Sequence, residues 1–184
     1  MKKIISFFLL FVLSFEGLYG SELKLKELFR NLDKPWSLSF INNDNIILTE
    51  KSGNLVHLDL IKKKVKKIKH NLDILEDGQG GLLDILYLDQ YIYVSYSENR
   101  GNHFSSTSVA KGKFNKDVID FKNIFRAEPA IKSGYHFGSR LLIKDNYIFV
   151  TVGERGQGMI AQNPKKHPGS IIRINLDGSI PKDN

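Results

Sequence analysis

The chain contains no cysteine. Disulfides, thiolate metal sites and a cysteine nucleophile are therefore excluded. Helical periodicity is scarce, and no apolar run reaches the ~20 residues that a bilayer-spanning helix needs, which excludes a polytopic membrane protein. Proline occurs only five times and tryptophan once in 184 residues. A composition of 41% hydrophobic and 26% charged residues excludes a disordered chain and a collagen-like fibre. The length suits one sizeable domain.

The start of the chain reads as a targeting segment. Met1-Lys2-Lys3 is basic, and Ile4 to Phe15 is apolar apart from Ser6 and Ser14. This is the layout of a secretory signal peptide, with cleavage expected after Gly20 even though Leu18 fits the small-residue rule poorly. An uncleaved N-terminal anchor is the alternative. Residues 1–20 are read as the signal peptide and residues 21–184 as the folded domain, periplasmic or secreted, without stable membrane insertion after cleavage. A secreted chain without cysteine depends on its packed core alone.

The formal charge of +7 falls to +6 without residues 1–20. Six lysines stand in one run: Lys62, Lys63, Lys64, Lys66, Lys67 and Lys69. Outside that run the mature chain is balanced, so a broad nucleic-acid face is not expected, since one needs basic residues spread over a surface. The run reads as a lysine-protected edge strand, with a polyanion or membrane-surface patch as the alternative.

What the chain does have is short β-branched and aromatic runs separated by Gly, Asn and Asp turns, the pattern of an all-β fold. Asn45–Thr49, Tyr91–Ser95 and Tyr147–Thr151 resemble one another. Each follows an apolar strand and a tight polar turn, the preceding strands being Trp36–Phe40, Leu82–Leu88 and Arg140–Ile143. The repeats begin at 45, 91 and 147, spacings of 46 and 56 residues. A period of this length, with several strands per unit, is that of β-propeller blades. Each unit reads as a four-stranded antiparallel blade; in the first, the lysine run would form the exposed outermost strand. A β-sandwich of similar strand spacing is the alternative. Closure takes ~4–8 blades, and the chain holds about three. We therefore expect the N-terminal part of a longer protein, or a half that pairs with another.

Few residues offer chemistry. His57 alternates with Val56 and Leu58 and reads as a surface residue, His70 as solvated, and His103 and His167 as loop residues without partners. None of the five histidines forms a metal-ligand pattern. His136 stands apart, in Gly134-Tyr135-His136-Phe137-Gly138-Ser139-Arg140 just before an inner strand. There it would sit at one mouth of a central channel, where a near-neutral pKa suits a general base; an ordinary loop histidine is the alternative. Asp77-Gly78-Gln79-Gly80-Gly81 holds the equivalent place in the second unit. Gly153-Glu154-Arg155-Gly156-Gln157-Gly158 is glycine-rich, but it runs toward Asn163-Pro164 and has the wrong spacing for a dinucleotide fingerprint. Glu154 and Arg155 are expected to pair with each other or with solvent.

Five motifs then stand in order: Lys34-Pro35-Trp36-Ser37-Leu38-Ser39-Phe40, Asp77-Gly78-Gln79-Gly80-Gly81-Leu82-Leu83, His136-Phe137-Gly138-Ser139-Arg140-Leu141, Gly153-Glu154-Arg155-Gly156, and the run Ile172 to Asn184. Together they make the chain from about Leu32 to Asn184 resemble the soluble quinoprotein aldose (glucose/sorbosone) dehydrogenases. These are six-bladed propellers that use pyrroloquinoline quinone and calcium. The resemblance implies that His136 is the base that takes the proton from the anomeric hydroxyl of an aldose. The C1 hydride passes to the quinone and a lactone is formed, with electrons leaving to a respiratory or artificial acceptor. It implies that Gln79 lies beside cofactor and substrate, that Glu154 holds the imidazole, and that Arg155 approaches the cofactor carboxylates.

Two positions depart from the family: Asp84, where glycine is commoner, and Tyr135, where some members have aspartate. The family's calcium ligands and its basic quinone clamp lie in later blades, so this segment carries the base side of the site, and alone it is expected to be an inactive fragment. The competing reading is a non-catalytic secreted propeller that binds carbohydrate or protein at its channel mouth.

Overall fold

A computed structural model describes residues 23–184; the expected signal segment lies outside the described residues. These residues form twelve strands: β1 (Pro35–Asn42), β2 (Asn45–Glu50), β3 (Leu55–Asp59), β4 (Lys64–His70), β5 (Leu82–Leu88), β6 (Tyr91–Asn99), β7 (Ser105–Lys113), β8 (Val118–Ile119), β9 (Lys122–Arg126), β10 (Gly138–Lys144), β11 (Tyr147–Val152) and β12 (Ser170–Asn175). Among the described residues no helix is long and apolar enough to cross a membrane.

The strands form three successive blades of a β-propeller. Their sheet orders are β1-β2-β3-β4-β8, β5-β6-β7-β9 and β10-β11-β12. The inner strands β1, β5 and β10 contain the three segments expected there. Two of the hairpins turn on residue pairs with positive φ, Asp89-Gln90 and Asp145-Asn146. This is the type I′ geometry that matches the right-handed twist of paired strands.

Burial follows position in the stack. The β-branched and aromatic runs of β2 and β6 are buried on both faces, because each lies mid-sheet with packing on either side. One core joins blades one and two through Ile47, Leu55, Leu82 and Ile92. A second joins blades two and three through Tyr93, Val109, Leu141 and Ile148. In β11 buried and half-buried residues alternate, since blade three is packed from one side. The outer face of blade one is covered by the chain before β1, where Phe29 and Leu32 rest on Ile46, Leu48, Val56 and Leu58. At the two ends of the arc apolar side chains face outward: Trp36, Leu38 and Phe40 on β1, and Leu142 and Ile171 on β10 and β12.

The blades differ from three four-stranded antiparallel units in two respects. Among the described residues the strand counts are five, four and three. The lysine-rich β4 is the outer strand of its own blade, with its lysines exposed, but it is not a free edge along its whole length. The two-residue strand β8 pairs with it in parallel at Lys69 and His70. The connection from β7 passes under this edge; Lys69 N–H donates to Asp117 O at 3.0 Å, and Lys66 pairs with Asp117 at 2.5 Å.

At the hub, Asp84 ties the three inner strands together. It is 3% exposed in a strand that is otherwise apolar at that end. Its Oδ1 accepts from the Ser37 hydroxyl of β1 at 2.6 Å and from Arg140 Nη1 of β10 at 3.0 Å. Its Oδ2 accepts from the Leu141 backbone N–H at 2.7 Å. A carboxylate can accept this many bonds because it has about four lone-pair sites.

Candidate active site

The loops that enter β5 and β10 meet at one mouth of the arc. Gln79 N–H donates to Gly134 O at 2.7 Å. The approach is close: a Cβ on Gly78, whose φ is +53°, would lie 2.4 Å from Gly134 O, so only glycine fits there. Gln79 Oε1 accepts from the His136 backbone N–H at 2.8 Å. The amide oxygen of Gln79 is thereby committed to the histidine loop, and its NH₂ group is left for other partners.

His136 itself has φ +48°, a left-handed conformation uncommon for residues other than glycine, although histidine adopts it more often than most. Its side chain is 54% exposed, and its Nδ1 lies 2.5 Å from Glu154 Oε1. Glu154 comes from the loop after β11 and also accepts from Gly156 N–H at 3.0 Å. The hydrogen bond from His136 holds the Glu154 carboxyl below the usual glutamate range. An ionised carboxylate only accepts, so Nδ1 carries the proton and Nε2 is the basic nitrogen. An imidazole held this way leaves Nε2 able to accept a proton.

Arg155 is placed differently from the expectation. It does not pair with Glu154 and does not point into the mouth; it is 2% exposed, beneath the histidine loop. Its Nε donates to Tyr135 O at 3.0 Å and its Nη1 to Ser105 O at 3.0 Å. Its Nη2 donates to the Ser105 hydroxyl at 2.9 Å and also to Ser133 O. The guanidinium stacks on Phe137, 3.6 Å from the ring centroid. Burial brings its pKa down to about 10, with Asp77 opposing the shift, so it stays charged at neutral pH. The donors that would have met cofactor carboxylates are used inside the protein, because the loop's own carbonyls surround them.

Gly153 fixes the spacing between the two loops. Its N–H donates to Phe137 O at 3.0 Å, and a Cβ there would lie 1.9 Å from His136 O. We predict that Gly153→Ala costs about 1–3 kcal/mol, the range for overpacking, and displaces His136 from Glu154. Denaturant unfolding with NMR of the imidazole checks this; an unchanged midpoint and unchanged imidazole shifts would refute it.

His57, His70 and His167 are structural. His57 is 5% exposed rather than on the surface, with Nε2 2.8 Å from Asn45 Oδ1, and burial lowers its pKa. His70 is half-buried and closes a turn, its Nε2 2.7 Å from Gly53 O. His167 Nδ1 accepts from Glu128 N–H at 2.8 Å. Beside the candidate base a cavity of about 540 Å³ is lined by Asp77, Gly78, His103, Lys132 and Tyr135. No group of three or more His, Asp or Glu side chains suited to a metal ion occurs among the described residues. Sequence reasoning missed Ser105 and Ser133 as holders of the arginine, and nothing in the pattern marks them. It noted Asp84 only as a departure, although a lone carboxylate inside Leu82-Leu83-Asp84-Ile85-Leu86 is the signal of a buried junction.

The glucose/sorbosone dehydrogenase family model matches residues 32–184. The chain belongs to this family. It is 34% identical over 163 residues to the aldose sugar dehydrogenase YliI of Escherichia coli K12, covering 83% of this chain and 44% of that protein. It is 27% identical over 195 residues to quinoprotein glucose dehydrogenase B of Acinetobacter calcoaceticus, covering 86% and 40%. A crystal structure of a glucose dehydrogenase matches with a TM-score of 0.81 at 30% identity, covering 86% of this chain and 49% of the other. The chain thus spans about half the length of the relatives it matches.

Proposed function

We propose that this chain supplies the base side of an aldose dehydrogenase that oxidises the C1 hydroxyl of a sugar to the lactone. The observation that carries this reading is the exposed His136 imidazole, with Nδ1 2.5 Å from Glu154 and its backbone held by Gln79 at 2.8 Å. Nε2 takes the anomeric hydroxyl proton. Glu154 steadies the imidazolium that results, as a carboxylate beside a protonated ring does. The free NH₂ of Gln79 orients the sugar or the cofactor from the neighbouring loop. Pyrroloquinoline quinone, when bound, supplies the acceptor for the C1 hydride. Gln79 and His136 suit the polar edge of such a group. Arg155 is turned away from it, so the cations that clamp its carboxylates are not assigned to this segment. Calcium belongs to the same proposal, with no ligand assigned here. The electrons leave to a respiratory acceptor or to a dye, and the protein works in the periplasm or outside the cell.

The test is aldose-dependent dye reduction by the full-length protein carrying this segment, supplied with pyrroloquinoline quinone and calcium. Lactone formation at a rate set by the aldose is the expected result. Sugar binding without turnover, in protein shown to hold the quinone, would overturn the reading in favour of a carbohydrate-binding propeller.

A further inference from the structure

We propose that Arg155 is a positioning residue for the His136–Glu154 pair, acting as a planar fork that shapes the histidine loop from below. The proposal rests on the functional reading above for its catalytic consequence, but the placement itself does not depend on that reading. Glu154 and Arg155 are adjacent, yet their side chains leave the backbone in different directions. Glu154 reaches the imidazole, whereas Arg155 goes beneath the loop that carries it. Residues 133, 135 and 137 contribute a carbonyl, a second carbonyl and an aromatic face to the same guanidinium. Ser105 at the start of β7 supplies the remaining acceptors, which anchors the loop to blade two. The backbone N–H of Arg155 also donates to His136 O at 3.3 Å.

Volume alone does not account for an arginine here. Burying a cation with no carboxylate among its hydrogen-bond partners is costly, and the acceptors are carbonyls and one hydroxyl. An apolar side chain would fill the space without that cost. What it would lack is a rigid set of N–H donors that gathers carbonyls from two segments at fixed angles. Lysine would keep the charge but present a point in place of a fork. The Tyr135 carbonyl and the Phe137 ring, both held by the guanidinium, flank His136 in the chain, and its left-handed φ needs support from its surroundings. Arg155 therefore holds the imidazole where Glu154 can reach it.

The experiment compares Arg155→Lys and Ser105→Ala with the parent in the full-length protein. The first readout is the Glu154 carboxyl titration by NMR with labelled glutamate, which needs neither cofactor nor sugar. The groups facing that carboxyl are the His136 ring and the Gly156 N–H. In the parent the carboxyl titrates below the usual glutamate range because His136 bonds it. Arg155→Lys should bring it back up toward that range. A depressed carboxyl pKa stabilises the fold above the ordinary glutamate pKa, and this is lost as pH falls through the folded value. That acid-side dependence should therefore flatten in the variant. Ser105→Ala removes one acceptor and keeps the guanidinium, so it should move Glu154 the same way by less; it decides the question if the lysine variant does not fold. The second readout is turnover, where a misplacement near 1 Å predicts a fall in kcat of about a hundredfold in Arg155→Lys, with a much smaller change in KM. A Glu154 titration unchanged in a folded Arg155→Lys, or unchanged in Ser105→Ala where the lysine variant does not fold, would overturn the proposal, whatever happens to stability or turnover. If the parent oxidises no aldose, the functional reading fails and the titration still decides the role of Arg155.

Discussion

His136→Ala, in the full-length protein, should lower aldose-dependent turnover by about 10²–10⁴-fold, the range for loss of a general base. Quinone affinity should stay close to that of the parent. The imidazole is held by its ring nitrogen and by its backbone, and the two are separable. Alanine removes the Nε2 proton acceptor and the Glu154 contact, while the backbone N–H bond to Gln79 Oε1 can persist. The loop should therefore stay in place as the chemistry fails. Gln79→Ala should cost less, about 1–3 kcal/mol, because it removes hydrogen bonds and not the proton acceptor. Parallel dye-reduction kinetics and cofactor titration distinguish the outcomes. Near-normal turnover in His136→Ala, or joint loss of turnover and quinone binding, would remove His136 from the role of base.

Asp84→Ala should destabilise the protein by about 3 kcal/mol, the scale of a charged hydrogen bond lost together with a buried donor left unpaired. The side chain is almost wholly buried, and it accepts from a hydroxyl, a guanidinium and a backbone N–H contributed by β1 and β10. Arg140 is 70% exposed, so its charge returns to water and adds little to the cost. The buried Leu141 N–H has no such escape. Denaturant unfolding with an unchanged m-value would measure the loss. A change under about 1 kcal/mol would show that the three inner strands hold their places by apolar packing alone.

Much of the fold is legible in the residues. The three inner strands and the hairpins that follow them stand out because β-branched and aromatic runs recur with polar turns at a fixed place. The site loops also stand out, since they hold polar residues among glycines just before inner strands. What the pattern does not carry is where a side chain turns. Glu154 and Arg155 look equivalent in a glycine-rich loop, yet one reaches the imidazole and the other goes inward, because the acceptors that decide it lie at Ser105, Ser133 and Tyr135, up to 50 residues away in the chain. His57 looks like a surface residue by alternation, but its partner Asn45 lies on the adjacent strand, and the strand is covered on both faces. The pairing of β8 with the lysine strand depends on how the chain returns after β7, a long-range contact with no local signature. The strand counts depend on the same kind of connection.

The outward face of β1 also changes how the protein responds to light. Trp36 is the one tryptophan in the sequence, and 49% of it is exposed on that face. The chain therefore carries a single indole fluorophore, at one end of its arc of blades. An indole half in water emits at longer wavelength than one sealed in an apolar seam. Whatever comes to lie against β1, whether further blades of a longer polypeptide or another molecule, changes the medium around that indole, so its emission records whether that end of the arc is wet or closed.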